Sequence, residues 1–261
     1  MATSSITYNF VVSNPNSVKR FVAAIDEADR DRTPKQTLPG RQLTNPQEIL
    51  ALMSKKKNNM SDKYFTVNIR AYLDKDEPTY IGKESLYDLL SDFFCPKNPD
   101  VEYFLLHNAI EFTKKDQSIT YLVFDAEDAS LVGYFSLTVK PISVRASNIS
   151  KTMAKKLSRV SILDEETQSY TTAAYLTAQL GKNYSLPKEK RISGNILLGF
   201  ALETIANLKY SVGGVMEFLE CEDNEFLLSF YTQNCFKPFD TRITASQNNE
   251  PHTLHQLLKF I

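Results

Sequence analysis

Between Thr171 and Phe239 the chain runs through one ordered series: a β-rich run, a polar turn, a long helix pattern, a second β-rich run and a further helix. The first run centres on Ala173-Ala174-Tyr175-Leu176-Thr177 and extends to Leu180. The turn is Lys190-Arg191-Ile192-Ser193-Gly194-Asn195, and behind it Leu197, Leu198, Ala201 and Ile205 fall at helical spacing. A helix that starts here leaves its first amide protons without intrahelical acceptors, pointing into the loop. Gly194 permits close approach of a ligand, and Lys190 and Arg191 add positive charge. That is the chemistry of a pyrophosphate cradle. The single glycine fits neither the Rossmann fingerprint nor a Walker loop, and no GKS or GKT occurs, so a nucleoside triphosphatase has little support.

The remainder of the chain sets the frame around that unit. Its 261 residues, 42% hydrophobic, suffice for one large domain with an appendage. A net charge of -1 gives no global attraction to nucleic acid or to anionic membrane. Cys95, Cys221 and Cys235 form no CxxC pair and no disulfide scaffold, and His107, His252 and His255 form no tight ligand cluster, so no metal is expected. His252 and His255 are spaced to share the surface of a terminal helix. No secretory leader and no apolar run of ~20 residues is present, which makes cytoplasm the default location and excludes membrane insertion by helices.

Residues 1–60 read as a helical N-terminal extension. Val18, Phe21, Val22 and Ile25 make one amphipathic stripe, and Asn45-Pro46-Gln47-Glu48 opens a second short helix. Docking on the main domain, covering a cleft and dimerisation are the roles open to it. From Lys63 the texture is α/β: Tyr64–Leu73 alternates like a strand, Ser85–Phe94 and Asp100–Lys114 read as helices, and Ile119–Phe124 and Leu131–Val139 as strands. Residues 141–170 read as an irregular or helical insertion. It is basic: no acidic residue stands between Asp128 and Asp164, while Lys140, Arg145, Lys151, Lys155, Lys156 and Arg159 do. A solvated helix face accounts for this most simply, and a docking surface for a phosphate-rich partner is the sharper alternative.

After the second β-rich run, Val215–Cys221, come Asn224 and then Phe230-Tyr231-x-x-x-Cys235-Phe236. Together with Arg191-x-x-Gly194-x-Ile196, this order resembles the GCN5-related N-acetyltransferase (GNAT) superfamily, whose loop reads Gln/Arg-x-x-Gly-x-Gly/Ala and whose ending reads Phe-Tyr-x-x-x-Gly-Phe. Two positions depart: Ile196 replaces a small residue and Cys235 replaces glycine. The segment Glu102–Ala109 resembles, less specifically, the subgroup of acetyltransferase toxins. The resemblance spans about Tyr64 to Phe239 and implies an α/β fold, a mixed central sheet flanked by helices.

It also implies acetyl transfer from acetyl-CoA to a primary amine on a small molecule, a protein or an aminoacyl-tRNA. Amides from Ile192 to Leu197, with Ser193, Gly194 and Asn195 between them, would hold the pyrophosphate; Leu180 would offer an amide to the thioester carbonyl. By the same resemblance Tyr231 protonates the departing thiolate. Asn224 is a helix cap first and a coenzyme contact second. Glu217 and Glu220 face opposite sides of their strand, and Glu220, nearer its C-terminal end, is the candidate base. The competing reading is a non-catalytic GNAT-fold ligand sensor or interaction module, motivated by Ile196, Cys235 and the N-terminal extension.

Overall fold

The computed structural model describes residues 63–243 and 252–261; the helices expected over residues 1–60 lie outside them. The order is β1 (Tyr64–Asn68), α1 (Ile69–Leu73), α2 (Lys83–Leu90), α3 (Pro99–Tyr103), a π turn at Phe104–Asn108, α4 (Ala109–Lys114), β2 (Ile119–Asp125) and β3 (Leu131–Arg145). Then follow α5 (Lys151–Leu157), β4 (Leu163–Asp164), β5 (Ser169–Lys182), α6 (Gly194–Val212), β6 (Met216–Glu222), α7 (Glu225–Gln233), β7 (Lys237–Ile243) and β8 (Thr253–Phe260). The strands make one mixed sheet in the order β1-β2-β3-β5-β6-β8-β7, with the short β4 attached to β5. Every pairing is antiparallel except β5 with β6, whose connection is the crossover helix α6.

Alternation along β3 shows how helices come to cover both faces. Tyr134 points into a cluster with Ile69, Leu86, Leu90, Phe104 and Leu122, the side of α1 to α4. Its neighbour Phe135 points the other way, into Val123, Tyr175, Ile192, Leu197 and Ala201, the side of α6. Each such fully buried large side chain contributes about 1.5–3 kcal/mol. Gly181 lets α3 approach β5, since a Cβ there would stand 2.6 Å from the Tyr134 ring and from Val101; Gly133 lets β3 lie close to β5, since a Cβ there would stand 2.7 Å from the Gly181 carbonyl. The Tyr134 hydroxyl then donates to the Val101 carbonyl at 2.5 Å, tying α3 to the sheet.

Four local expectations are corrected. The strand read over Tyr64–Leu73 stops at Asn68, whose side chain accepts from the Arg70 amide and caps α1; a short amide side chain competes with the ladder for the backbone. The helix expected to open at Asp100 opens one turn edge earlier, at Asn98, which accepts from the amides of Asp100 and Val101 with Pro99 in the first turn. In the basic insertion, β3 continues through Pro141 to Arg145 and pairs with β5 down to Ser169. Proline is tolerated because β2 stops pairing at Leu137, so beyond it β3 has one free edge. Finally, His252 and His255 are not on a helix: His252 precedes β8, and His255 lies within it, 3.0 Å from an Asp223 carboxylate oxygen. Pairing on both sides, with β6 and β7, outweighs the strand's modest β propensity.

The helix that remains of the insertion, α5, is capped by Ser150, and it buries Met153 and Leu157 while Lys151, Lys155 and Lys156 face outward. Its charges thus form a solvated face, with Lys156 lying 5.0 Å from the Phe260 ring centroid. Among the described residues no helix is long and apolar enough to cross a membrane, and no group of three or more His, Cys, Asp or Glu is placed to hold a metal ion.

Candidate active site

The one parallel pair in the sheet is only three residues long. Tyr175, Leu176 and Thr177 pair with Glu217, Phe218 and Leu219. Beyond them β5 keeps only β3 and β6 keeps only β8, so the two strands part. A cleft of about 1110 Å³ opens in the gap. Where it starts, the register of β5 against β3 slips, leaving Ala178 unmatched, a bulge that turns backbone groups out of the ladder. Leu180 and Ala178 both line the cleft, which puts unpaired strand edge along one wall.

The N-terminus of α6 closes one side. Ser193 caps the helix, its hydroxyl accepting from the Ile196 amide at 3.2 Å. The N–H groups of Gly194 and Asn195 belong to the same first turn, where no intrahelical acceptor exists, and both residues line the cleft. Gly194 leaves room for a neighbouring ring: an added Cβ would stand 3.2 Å from the Phe230 ring of α7, tighter than an ordinary contact. Asn195 is held by Asn234, whose amide donates to its oxygen at 3.1 Å. Leu197 also lines the cleft.

Four of the residues expected there have other surroundings. Ile192 is fully buried in the α6-side cluster. Ile196 packs against that same cluster and so directs its bulk away from the cleft. Arg191 donates to the carbonyls of Leu186 at 2.8 Å and Tyr184 at 3.0 Å, so it ties down the β5–α6 loop. Lys190 is paired with Asp128.

On the far wall, α7 begins at Asn224, whose side chain accepts from the amides of Phe226 and Leu227. About two turns later Tyr231 lines the cleft, its ring in edge contact with Phe230 and Phe236. Burial, then the nearby Cys221 and Glu217, holds the Tyr231 phenol far above its ordinary range, so it stays protonated. Burial likewise pushes the Cys221 thiol up to about 11 and raises the Cys95 thiol, so neither cysteine in the cleft is an activated nucleophile.

Glu217 and Glu220 do face opposite sides. Glu220 lines the cleft, but its oxygens take two bonds from Arg242, at 2.7 and 2.6 Å, and one from Gln256 at 2.7 Å. Glu217 is fully buried; one oxygen accepts from the Thr177 hydroxyl at 2.8 Å and the other has no hydrogen-bond partner among the described residues. Burial, opposed by the Thr177 bond and by Lys259, pushes its carboxyl up to about 7. The structure further brings in Lys97, Lys182 and Tyr184, which the sequence pattern did not single out. Lys182 and Tyr184 carry only the signal of a lysine and a tyrosine at the end of a strand, and Lys97 carries none.

Cys235, in the turn after α7, has φ +69°. Left-handed backbone costs a non-glycine residue roughly 1–2 kcal/mol, partly offset by the chain entropy that glycine loses on folding. Cys235→Gly is therefore expected to stabilise the protein by up to about 1 kcal/mol in urea unfolding. A lower midpoint for the variant would refute this account of the turn.

The sheet with its parting parallel strands, the crossover helix N-terminus beside the gap and the helix carrying Tyr231 together make the GNAT fold. A tyrosine-to-phenylalanine mutant of KacT superimposes with TM-score 0.51 at 16% identity, over 76% of this chain and 95% of that one. AtaT complexed with acetyl-methionyl-tRNAfMet gives 0.49 at 17%, over 74% and 93%, and AtaTR bound with AcCoA gives 0.46 at 16%, over 76% and 94%. No family model matches the sequence. No curated protein matches it either.

Proposed function

We propose that this protein transfers an acetyl group from acetyl-CoA to a primary amine. The observation that carries the reading is the gap between β5 and β6, which joins an unpaired strand edge, a first-turn helix N-terminus and a protonated tyrosine in one cleft. The fold raises the prior by analogy only; the site supplies the chemistry. The Gly194 and Asn195 amides suit a pyrophosphate. The bulged β5 edge at Ala178 to Leu180 suits the extended chain of the cosubstrate and the thioester carbonyl.

In the reaction the amine lone pair forms a C–N bond to the thioester carbonyl and the C–S bond breaks. Tyr231 gives its phenolic proton to the departing sulfur and recovers one from the nitrogen, so no proton is gained or lost overall. Glu220, committed to Arg242 and Gln256, serves better to hold the β6–β7 side of the cleft than to accept a proton. The acceptors compatible with this site include a phosphate-bearing one such as an aminoacyl-tRNA. The non-catalytic alternative loses one of its motives, because the partly buried Ile196 packs against the core cluster on the α6 side.

Asn195→Glu tests the cradle with opposite signs on two readouts. A carboxylate in the first turn favours the helix dipole by about 0.3–1 kcal/mol, so thermal stability should hold or rise. The same charge faces the phosphates, and calorimetry with acetyl-CoA should show affinity reduced about tenfold or more. Absence of detectable binding to the unaltered protein would overturn the proposal itself.

A further inference from the structure

Three cations converge on one aromatic ring at the mouth of the cleft. The Lys97 and Lys182 ammonium nitrogens lie 5.5 and 5.6 Å from the Tyr184 ring centroid, and the Arg191 guanidinium carbon lies 5.1 Å from it. Lys97 comes from the loop ahead of α3, Lys182 from the last position of β5, and Tyr184 from the loop that follows. The guanidinium is spent on the Leu186 and Tyr184 carbonyls. Neither lysine is in an ion pair among the described residues. Of the acidic residues around the cleft, Glu220 is taken by Arg242, and Glu222 accepts from the Asn98 amide at 3.5 Å. Asp100 and Glu222 also line the cleft, and among the described residues neither is in an ion pair with Lys97 or Lys182.

We infer that Lys97 and Lys182, held against Tyr184, form a phosphate-recognition subsite distinct from the first-turn amides of α6. Like charges brought together repel, and a fold that keeps them so without an ion-paired carboxylate among the described residues leaves that repulsion for a ligand to relieve. Burial first, then Lys97 and Arg191, holds the Lys182 ammonium below its ordinary range, in keeping with an unneutralised cluster. A phosphate monoester carries up to two negative charges, which matches two ammonium groups; a carboxylate matches one. Tyr184 contributes the negative face of its ring, which keeps both stems in place while the subsite is empty.

The phosphate has two sources within the proposed reaction, the cosubstrate's own 3′-phosphate and a phosphate on the acceptor. The discriminating variant is Lys97→Gln/Lys182→Gln in the full chain, which retains the stems and removes the repulsion. Its thermal midpoint should be no lower than that of the unaltered protein; Lys97→Gln alone, at an exposed position, serves if the double variant fails to fold. Calorimetry would use acetyl-CoA, its 3′-dephospho form, and adenosine 5′-monophosphate added to the free and to the acetyl-CoA-saturated protein.

If the cosubstrate supplies the phosphate, the variant loses about tenfold or more in affinity for acetyl-CoA and nothing for the dephospho form. If the acceptor supplies it, both cosubstrates bind the variant normally, while the monophosphate binds the saturated unaltered protein at least tenfold more tightly than the variant. Equal binding of all three compounds to both proteins overturns the subsite. The inference uses the cleft of the proposed reaction but fails separately from it. Should acetyl-CoA not bind at all, monophosphate binding to the free protein, lost in the variant, still upholds the subsite, and its absence or persistence in the variant refutes it.

Discussion

Replacing Tyr231 by phenylalanine is expected to slow thiol release from acetyl-CoA by at least about 100-fold, the lower end of what a positioned general acid contributes. Affinity for acetyl-CoA should stay within about twofold, because the hydroxyl acts on the sulfur only as the C–S bond breaks. The ring itself is kept, and with it the edge contacts to Phe230 and Phe236, so folding is preserved. The phenol is held above its ordinary value of 10.0 by burial, by Cys221 and by Glu217. Its protonation therefore imposes no alkaline decline in rate below that value. The assay is thiol release measured with a panel of primary amines, since the proposal leaves the acceptor open. A variant as fast as the unaltered protein would remove Tyr231 from the chemistry and leave it as a packed core residue.

The sequence marked the α6 turn more firmly than the cleft around it, for a physical reason. Ser193, Gly194 and the apolar spacing of Leu197, Leu198, Ala201 and Ile205 are local rules, each satisfied within a few residues of chain. The opposite wall is assembled from distant segments. Lys97, Asn98 and Val101 meet β5 only because Gly181 carries no Cβ and lets α3 come close. No spacing in the chain encodes that contact. Arg191 shows the converse error: its charge beside Gly194 reads as a phosphate ligand, whereas the Tyr184 and Leu186 carbonyls already engage it. Ile196 resolves in the other direction. Its bulk looked obstructive beside a phosphate-facing turn, yet the rotation of α6 that buries Leu197 and Ala201 also carries Ile196 onto the same core cluster. Strand β8 was missed because its partners decide it: it fits between β6 and β7, which no local propensity foretells.

Glu217 sits on the last stretch of paired backbone before β5 and β6 part, and its ionisation should be legible in stability. Its folded carboxyl is raised from 4.5 to about 7, chiefly by burial. The folded state therefore holds this proton to higher pH than the unfolded chain does, and stability falls as pH rises. Below 4.5 the penalty is absent; it grows up to about 7 and is complete above that. A shift of this size corresponds to a loss on the order of 3 kcal/mol across the window.

Glu217→Gln removes the titration while leaving an oxygen to accept from the Thr177 hydroxyl. The new amide nitrogen falls where the second carboxyl oxygen had no partner, a cost of about 1–3 kcal/mol that does not change with pH. The offset between the two proteins is thus a poor test, and the slope is the good one. Urea unfolding at pH 4.5, 6 and 8 should show the unaltered protein losing on the order of 3 kcal/mol relative to the variant. Tyr231 and Lys259 also face this carboxyl, but the phenol is raised by burial and the ammonium favours the ionised form, so neither of them supplies the same slope. Parallel curves for the two proteins would mean that Glu217 is already ionised in the fold, with the Thr177 bond and Lys259 outweighing its burial.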